Sequence, residues 1–190
     1  MSRERNKRPP CALSIAGSDS GGGAGIQADL RTFAAHRVHG LCLVTALTAQ
    51  NTRAVTAVHE VPARMLDAQW QALVDDFRIG AIKTGMLGTR RQVRAVVRLL
   101  GALPAPTPVV VDPVMVATSG AVLLDPDALT LLRTRLLPLA DLLTPNLPEA
   151  ELLLGRRIGG GDDLVRAAHE LLALGPRAVL VKGGHLAGNT

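Results

Sequence analysis

The sequence has few aromatic residues and few lysines. Among its 190 residues only Phe33, Trp70 and Phe77 are aromatic, and tyrosine is absent. Proteins that bind single-stranded nucleic acid stack bases on several aromatic side chains, so this composition argues against a nucleic-acid partner. Of 21 basic residues only three are lysine, and two of them, Lys83 and Lys182, follow apolar runs. These two lysines stand apart from the remaining basic residues.

The net charge of +5 arises mostly from the start of the chain. Four basic residues lie among the first eight, opposed only by Glu4, so residues 9–190 carry 17 basic and 15 acidic side chains, a net charge of +2. A basic patch that binds nucleic acid is therefore not expected in the body of the protein. We interpret residues 1–10 as a basic, disordered N-terminal tail of unassigned role and residues 11–190 as one domain.

Cysteines and long apolar runs are also scarce. Cys11 and Cys42 lie in apolar segments without the spacing of metal ligands, which favours buried, reduced thiols over a disulfide. No run of 18 apolar residues is present, and the basic N-terminus is not followed by the pattern of a signal peptide. The sequence thus predicts a cytoplasmic protein that makes no use of a membrane.

Short β-type runs alternate with segments of helical period along the whole chain. Helical spacing occurs within residues 26–34, 65–77, 93–100, 128–137 and 164–172. Alternation of this kind predicts an α/β layered fold with parallel strands joined by right-handed crossovers. The predicted strands are residues 12–16, 41–47, 54–58, 80–83, 108–112, 141–143 and 178–182.

Polar or glycine-rich loops follow six of these predicted strands, whereas the connections from helix to strand are ordinary. In an open α/β sheet, ligands bind beyond the carboxyl ends of the strands. The concentration of such loops at one edge therefore predicts a ligand site there. The loops are residues 17–25, 48–52, 83–86, 112–115, 144–149 and 182–185.

The glycine-rich loop 17–25 matches neither the P-loop nor the dinucleotide-binding fingerprint. It is either a flexible turn or a ligand contact, and amides at the start of the following helix could hold an anion. Asp29 borders the apolar face of that helix, so it faces either the sheet edge or solvent. Gln50 is either a turn residue or an amide suited to a heterocycle that both donates and accepts hydrogen bonds.

The later loops carry charged residues that also have structural explanations. Asp112 precedes Pro113 at a strand tip, where it could cap a turn or face a metal-bound water or an ammonium group. Asn146 and Glu149 have the spacing of a capping box, which leaves room for a Mg²⁺ contact through water. Lys182 is either a phosphate contact or a solvated lysine at a strand end.

Taken together, six segments resemble the hydroxymethylpyrimidine and phosphomethylpyrimidine kinases of thiamin biosynthesis, a family of ribokinase-like kinases. The resemblance runs in order from about residue 12 to residue 185. It implies a three-layer α/β/α fold with a central, mostly parallel sheet, and often a homodimer. The segments are residues 16–30 (AGSDSGGGAGIQADL), 45–52 (TALTAQNT), 82–87 (IKTGML), 111–115 (VDPVM), 144–150 (TPNLPEA) and 181–185 (VKGGH).

The resemblance implies two ATP-dependent phosphorylations, first of 4-amino-5-hydroxymethyl-2-methylpyrimidine at its alcohol and then of the monophosphate to the diphosphate. By position, it implies a pyrimidine pocket, with Gln50 contacting the ring, and a nucleotide side where Lys182 offsets phosphate charge. Of the nucleotide-side residues, Asp112 and Glu149 would hold Mg²⁺. The pocket residues are Gly17, Asp29, Gln50, Met86 and Val114, and the nucleotide-side residues are Asp112, Asn146, Glu149 and Lys182.

Members of the family continue, past the position of Thr190, into a Gly-Thr-Gly-Cys-type loop that supplies an anion hole and the acceptor of the alcohol proton. No residue in 1–190 matches that acceptor, so the resemblance implies a C-terminally incomplete domain with its catalytic base beyond Thr190. Three alternatives remain open: a pyridoxal or pyridoxine kinase, a non-catalytic pyrimidine-binding module, and a nicotinamide-dependent oxidoreductase. The absent dinucleotide fingerprint disfavours the last.

Overall fold

A computed structural model describes residues 9–103, 107–115 and 124–183. Part of the predicted N-terminal tail, residues 1–8, lies outside the described residues, as do Gly184 and His185 of the last predicted loop. The strands are β1 (Cys11–Asp19), β2 (His39–Gln50), β3 (Val55–Glu60), β4 (Ile79–Thr84), β5 (Val109–Val111) and β6 (Leu142–Leu143). The helices are α1 (Gly25–Ala35), α2 (Ala63–Val74), α3 (Arg90–Gly101), α4 (Pro126–Leu131), α5 (Leu147–Leu154) and α6 (Asp162–Leu172).

The six strands form one sheet in the order β3-β2-β1-β4-β5-β6, parallel except for the β2–β3 pair. The chain passes from β1 to one side of the sheet and then crosses to β4 on the other side. The carboxyl ends of β1 and β4 therefore flank a topological switch point, where α/β sheets form a crevice. The predicted mostly parallel α/β sheet is confirmed.

Helices flank this sheet through apolar stripes. On α3, Val93, Val96 and Leu100 are buried, as their spacing of three and four residues predicts. Helix α1 packs on β1 and β2, while α2, α3 and α4 pack side by side. Because right-handed crossovers leave β1 and β4 in opposite directions across the sheet, α1 and α3 cover opposite faces. This arrangement gives the predicted three layers.

Two predicted elements differ in detail. The helix predicted over residues 128–137 is α4 followed by a π-helical turn (Leu132–Leu136) and a 3₁₀ turn (Leu137–Leu139) that contains Pro138. Proline lacks the N–H that a continuing α-helix requires. The strand predicted over residues 178–182 makes only isolated parallel bridges with the β6 segment, at Val179 and Lys182. Pro145 lies between the two bridges and cannot donate to the ladder.

Both cysteines are free thiols, as predicted, but they are partly exposed rather than fully buried. Burial is still sufficient to raise the pKa of the Cys42 thiol. Among the described helices, none has both the length and the apolar character needed to cross a bilayer.

Candidate functional site

A cavity of about 610 Å³ lies at the carboxyl edge of the sheet, beside the switch point. It is lined by the loops that follow β1, β2, β4 and β5 and by the start of α5. Eight of the nine predicted site residues line it, and the ninth, Lys182, bonds to a lining residue. The eight are Gly17, Asp29, Gln50, Met86, Asp112, Val114, Asn146 and Glu149.

The buried carboxylate of Asp19 organises the glycine-rich loop. Its Oδ1 accepts the backbone N–H of Gly21 at 2.8 Å, and its Oδ2 accepts those of Gly23 at 2.9 Å and Ala24 at 2.8 Å. The Asp19 N–H in turn donates to Oε1 of Gln27 at 2.9 Å. The loop amides of Gly21, Gly23 and Ala24 are therefore already paired within the protein. The amides at the start of α1, from Gly25 onward, are not bonded by this carboxylate, so an anion contact there stays a prediction.

Gly25 is required where the loop enters α1. Its φ of +57° lies in the left-handed region, and a Cβ built on it would overlap the carbonyl oxygen of Gly17. Gly17 itself approaches a cavity wall, because a Cβ there would lie 3.2 Å from Sδ of Met86. Because Gly17 has no side chain, the backbone lies at the cavity wall and leaves the adjoining space open.

Gln50 is held by its neighbours on both the backbone and the side chain. The Ser20 hydroxyl donates to the Gln50 carbonyl at 2.7 Å and accepts the Gln50 N–H at 2.8 Å. The Thr48 hydroxyl lies 2.9 Å from the Ser18 carbonyl and 3.2 Å from Oε1 of Gln50. The amide is therefore pre-positioned at the cavity wall, with hydrogen-bonding capacity left for a ligand.

Met86 is fixed from behind by buried polar contacts. The Thr45 hydroxyl donates to the Met86 carbonyl at 2.7 Å, and the side-chain amide of Gln92 donates to the Thr45 carbonyl at 2.6 Å. Met86 and Val114 contribute apolar side chains to the lining of the cavity. An apolar wall with a few fixed polar groups is the usual composition of a small-molecule site.

Asp29 turns toward the sheet rather than toward solvent. Its Oδ2 accepts the Ser14 hydroxyl at 2.6 Å, and the Lys83 ammonium donates to Oδ1 at 2.8 Å and to Oδ2 at 3.0 Å. Ser14 on β1 and Lys83 on β4 are partners in the parallel ladder. Both therefore reach the same carboxylate on α1, and the orientation of Asp29 toward the sheet edge is confirmed.

Asp112 lies directly after β5 and pairs with lysines on two sides. Its Oδ1 accepts from Nζ of Lys182 at 2.8 Å, and its Oδ2 lies 3.8 Å from Nζ of Lys83. Lys182 is thus an ion-pair partner at the rim, with 43% of its side chain exposed. The order of charges across the site is Asp29, Lys83, Asp112, Lys182, alternating in sign.

Asn146 and Glu149 form the predicted capping box at the start of α5. The Asn146 side chain accepts the Glu149 N–H at 2.8 Å, and the Glu149 carboxylate accepts the Asn146 N–H at 2.8 Å. Burial raises the pKa of the Glu149 carboxyl, against opposing effects of the Asn146 N–H and the Lys182 ammonium. The carboxylate lines the cavity, so its capping role and a ligand role are compatible.

The carboxylates at this cavity suit Mg²⁺ only when phosphate oxygens of a bound ligand complete its coordination. Mg²⁺ is usually held by one or two carboxylates together with phosphate oxygens and water. Asp112 and Glu149 supply two carboxylates on one cavity. Over residues 9–103, 107–115 and 124–183, no group of three or more His, Cys, Asp or Glu side chains is arranged to hold a metal. The carboxylates present fit a phosphate-bound Mg²⁺ but not a permanent protein cage.

Three residues of the site were missed by reasoning from the sequence. Asp19 had a local signal, since an Asp two residues before a Gly is typical of a side chain that bonds the following turn. Ser14 and Lys83 reach Asp29 only because of strand register. Lys83 stood out by its rarity, but nothing in the sequence indicated its partner.

Comparisons with known proteins agree on one family. The sequence model of phosphomethylpyrimidine kinase matches residues 19–190. The chain is 51% identical over 181 residues to a hydroxymethylpyrimidine/phosphomethylpyrimidine kinase of Streptomyces coelicolor and 53% identical over 178 residues to that of Rhizobium meliloti. These alignments cover 95% and 93% of this chain but 66% of each relative. The chain therefore spans slightly less than two thirds of these relatives.

Solved structures of two kinds of kinase share this fold. A phosphomethylpyrimidine kinase from Clostridium difficile superposes with a TM-score of 0.87 at 46% identity, covering 95% of this chain and 78% of that one. Pyridoxal kinase from Staphylococcus aureus, in complex with AMP-PCP, gives a TM-score of 0.82 at 34% identity, covering 94% of this chain and 64% of that one. The ribokinase-like fold expected from the resemblance is thus confirmed.

Proposed function

The chain belongs to the phosphomethylpyrimidine kinase family, and from that membership we propose that the protein phosphorylates 4-amino-5-hydroxymethyl-2-methylpyrimidine with ATP. The first transfer is to the alcohol, and a second transfer converts the monophosphate to the diphosphate used for thiamin diphosphate. The observation that carries the proposal is the shared cavity that joins the Gln50 amide to the carboxylates of Asp112 and Glu149.

The pyrimidine occupies the portion of the cavity beside the β1 and β2 loops. Gln50 contacts the ring, because a side-chain amide can both accept from an exocyclic amino group and donate to a ring nitrogen. Met86 and Val114 pack against the apolar part of the ring, and Gly17 leaves space for it. Asp29 provides a fixed acceptor at the same wall.

The phosphates of ATP occupy the portion beside Asp112 and α5. The carboxylates of Asp112 and Glu149 would hold Mg²⁺, and Asn146 fixes Glu149 by the capping box. When bound, Mg²⁺ neutralises negative charge on the phosphates. Lys182 offsets the same charge from the rim, where its ammonium is exposed and already paired with Asp112. The AMP-PCP complex of the Staphylococcus aureus pyridoxal kinase supports an adenine nucleotide as donor.

Pyridoxal is a second candidate substrate, because pyridoxal kinases of Staphylococcus aureus share this fold at 33% to 35% identity. The higher identity to the pyrimidine kinases favours the pyrimidine. Both substrates present a hydroxymethyl group on a nitrogen heterocycle, so one cavity can be tested with each.

A homodimer remains a further prediction. It rests on the family resemblance, since the exposed Leu47 and Val58 lie on opposite faces of the β2–β3 ribbon and form no single apolar patch. Sedimentation equilibrium measures the state directly, and a monomer at micromolar concentration would contradict this prediction.

The test of the function is phosphoryl transfer by the purified protein with Mg-ATP and equal concentrations of the pyrimidine alcohol and pyridoxal. Mass spectrometry detects each phosphorylated product. We expect the pyrimidine to gain one and then two phosphates, faster than pyridoxal gains one. Exclusive phosphorylation of pyridoxal would replace the proposed substrate.

A further inference from the structure

We propose that Lys83 is a positioning residue of the pyrimidine site, which acts by holding the Asp29 carboxylate at the cavity wall. The inference rests on the proposed function, since it assigns a task to a residue that the pyrimidine assignment does not use. Lys83 lies on β4, Asp29 on α1, and 54 positions of sequence separate them.

The contact is bidentate and partly buried. Nζ of Lys83 lies 2.8 Å and 3.0 Å from the two oxygens of Asp29, with 26% of the lysine side chain and 14% of the aspartate side chain exposed. A carboxylate with so little access to water needs hydrogen-bonding partners to remain charged and ordered. Ser14 provides one neutral bond to Oδ2, and Lys83 provides the compensating charge.

The carboxylate of Asp112 is a second reason why the site needs the positive charge of Lys83. Asp29 and Asp112 line the same cavity, and Lys83 contacts Asp29 while lying 3.8 Å from Asp112. Without its ammonium, two like charges would face each other in a partly desolvated space. Asp112 has a second cation, Lys182 at 2.8 Å, whereas the cation in contact with Asp29 is Lys83.

The two lysines consequently divide the site. Loss of Lys83 releases Asp29, on the pyrimidine side, while Asp112 keeps Lys182. Loss of Lys182 affects Asp112 and the phosphate side, while Asp29 keeps Lys83. The alternating charges therefore predict that loss of Lys83 mainly weakens pyrimidine binding, whereas loss of Lys182 mainly weakens Mg-ATP binding.

The experiment measures dissociation constants calorimetrically for the pyrimidine alcohol and, separately, for Mg-ATP. We expect Lys83→Met to weaken pyrimidine binding roughly tenfold to a hundredfold, the range for a lost charge-assisted bond. Mg-ATP binding should change less than pyrimidine binding, because Asp112 lies 3.8 Å from Lys83 but keeps its closer partner Lys182 at 2.8 Å. Lys182→Met serves as the reciprocal control, because it should weaken Mg-ATP binding and spare the pyrimidine. Lys83→Arg restores part of the pyrimidine affinity.

A double-mutant cycle separates positioning from direct contact. If Lys83 acts through Asp29, adding Lys83→Met to Asp29→Asn changes pyrimidine affinity by less than about twofold. Lys83→Met alone leaves the Asp29 carboxylate without its cation, and the single variant can fail to fold for that reason. The double variant removes both charges of the pair, so it keeps the inference testable. Multiplicative effects, or unchanged pyrimidine binding in a folded Lys83→Met variant, would overturn the inference. A wild-type protein that binds Mg-ATP but no pyrimidine would instead contradict the proposed substrate.

Discussion

The carboxylate of Asp19 accepts the backbone N–H of Ala24 at 2.8 Å, and so ties the end of β1 to the residue that precedes α1. The same carboxylate accepts the N–H groups of Gly21 and Gly23. A glycine-rich segment that would otherwise sample many conformations is thereby given one shape. The loop is thus shaped by the protein itself, and the Asp19 carboxylate makes three of its hydrogen bonds.

Replacing Asp19 tests this dependence. Asp19→Asn keeps the size of the side chain but places an amide NH₂ against backbone donors, so we expect a loss of about 1.5–3 kcal/mol in the free energy of unfolding. Urea denaturation measures the change. The exposed Asp76, changed to Asn, is the control and should alter stability by less than about 0.5 kcal/mol. Equal effects of the two substitutions would contradict the role given to Asp19.

Three glycines separate backbone strain from steric overlap. Gly155→Ala, at φ +69° with open space around it, should cost about 1 kcal/mol. Gly25→Ala adds overlap with the Gly17 carbonyl to the same strain and should cost more than about 3 kcal/mol. Gly101→Ala, at the end of α3 with open space, should be neutral or stabilising by about 0.5 kcal/mol. If thermal unfolding gives Gly25→Ala and Gly155→Ala the same loss of stability, the loop can shift to relieve the overlap with the Gly17 carbonyl, and the predicted steric cost is wrong.

Ser20 should act on pyrimidine affinity through Gln50. Ser20→Ala removes both hydrogen bonds to the Gln50 backbone, and we expect pyrimidine binding to weaken roughly tenfold. Thr56→Val is a matched control, since it removes a hydroxyl that bonds the Ala49 carbonyl on the same ribbon. Calorimetry measures the pyrimidine dissociation constant of both variants, and only Ser20→Ala should bind more weakly. An equal loss in each would indicate general loosening of the ribbon.

Acid should remove a stabilising contribution from Asp163. The Gly159 N–H, and then the Arg156 guanidinium, hold the pKa of the Asp163 carboxyl below its usual range. A lowered pKa in the folded state stabilises the fold above the unfolded pKa of about 3.9 and loses that effect as pH falls through the folded pKa. The stability gap between wild type and Asp163→Asn should therefore shrink below about pH 4. Arg156→Gln should weaken this pH dependence, and a gap that widens in acid would refute the assignment.

The sequence was most informative where structure depends on near neighbours. The capping box of Asn146 and Glu149 follows from a spacing of three residues, and the apolar stripe of α3 from helical period. The ligand edge was predictable because parallel strands place their carboxyl ends together.

Contacts between distant segments were not predictable in the same way. The pairing of Asp29 with Lys83 depends on β1 and β4 being neighbours in a register that aligns Ser14 with Lys83. The sequence predicts both strands but not which strands are adjacent or how they are aligned. Likewise, the break in the strand predicted over residues 178–182 comes from Pro145 on the opposing segment, not from a residue within it.

In the proposed function, the carboxyl edge of the sheet binds the pyrimidine through Gln50. Calorimetric titration of the wild-type protein with 4-amino-5-hydroxymethyl-2-methylpyrimidine, alongside Gln50→Ala, tests it most directly. We expect one site per chain, with pyrimidine affinity roughly tenfold or more weaker in Gln50→Ala and Mg-ATP affinity kept. A folded wild-type protein with no affinity for the pyrimidine, or equal affinity in the two proteins, would contradict it.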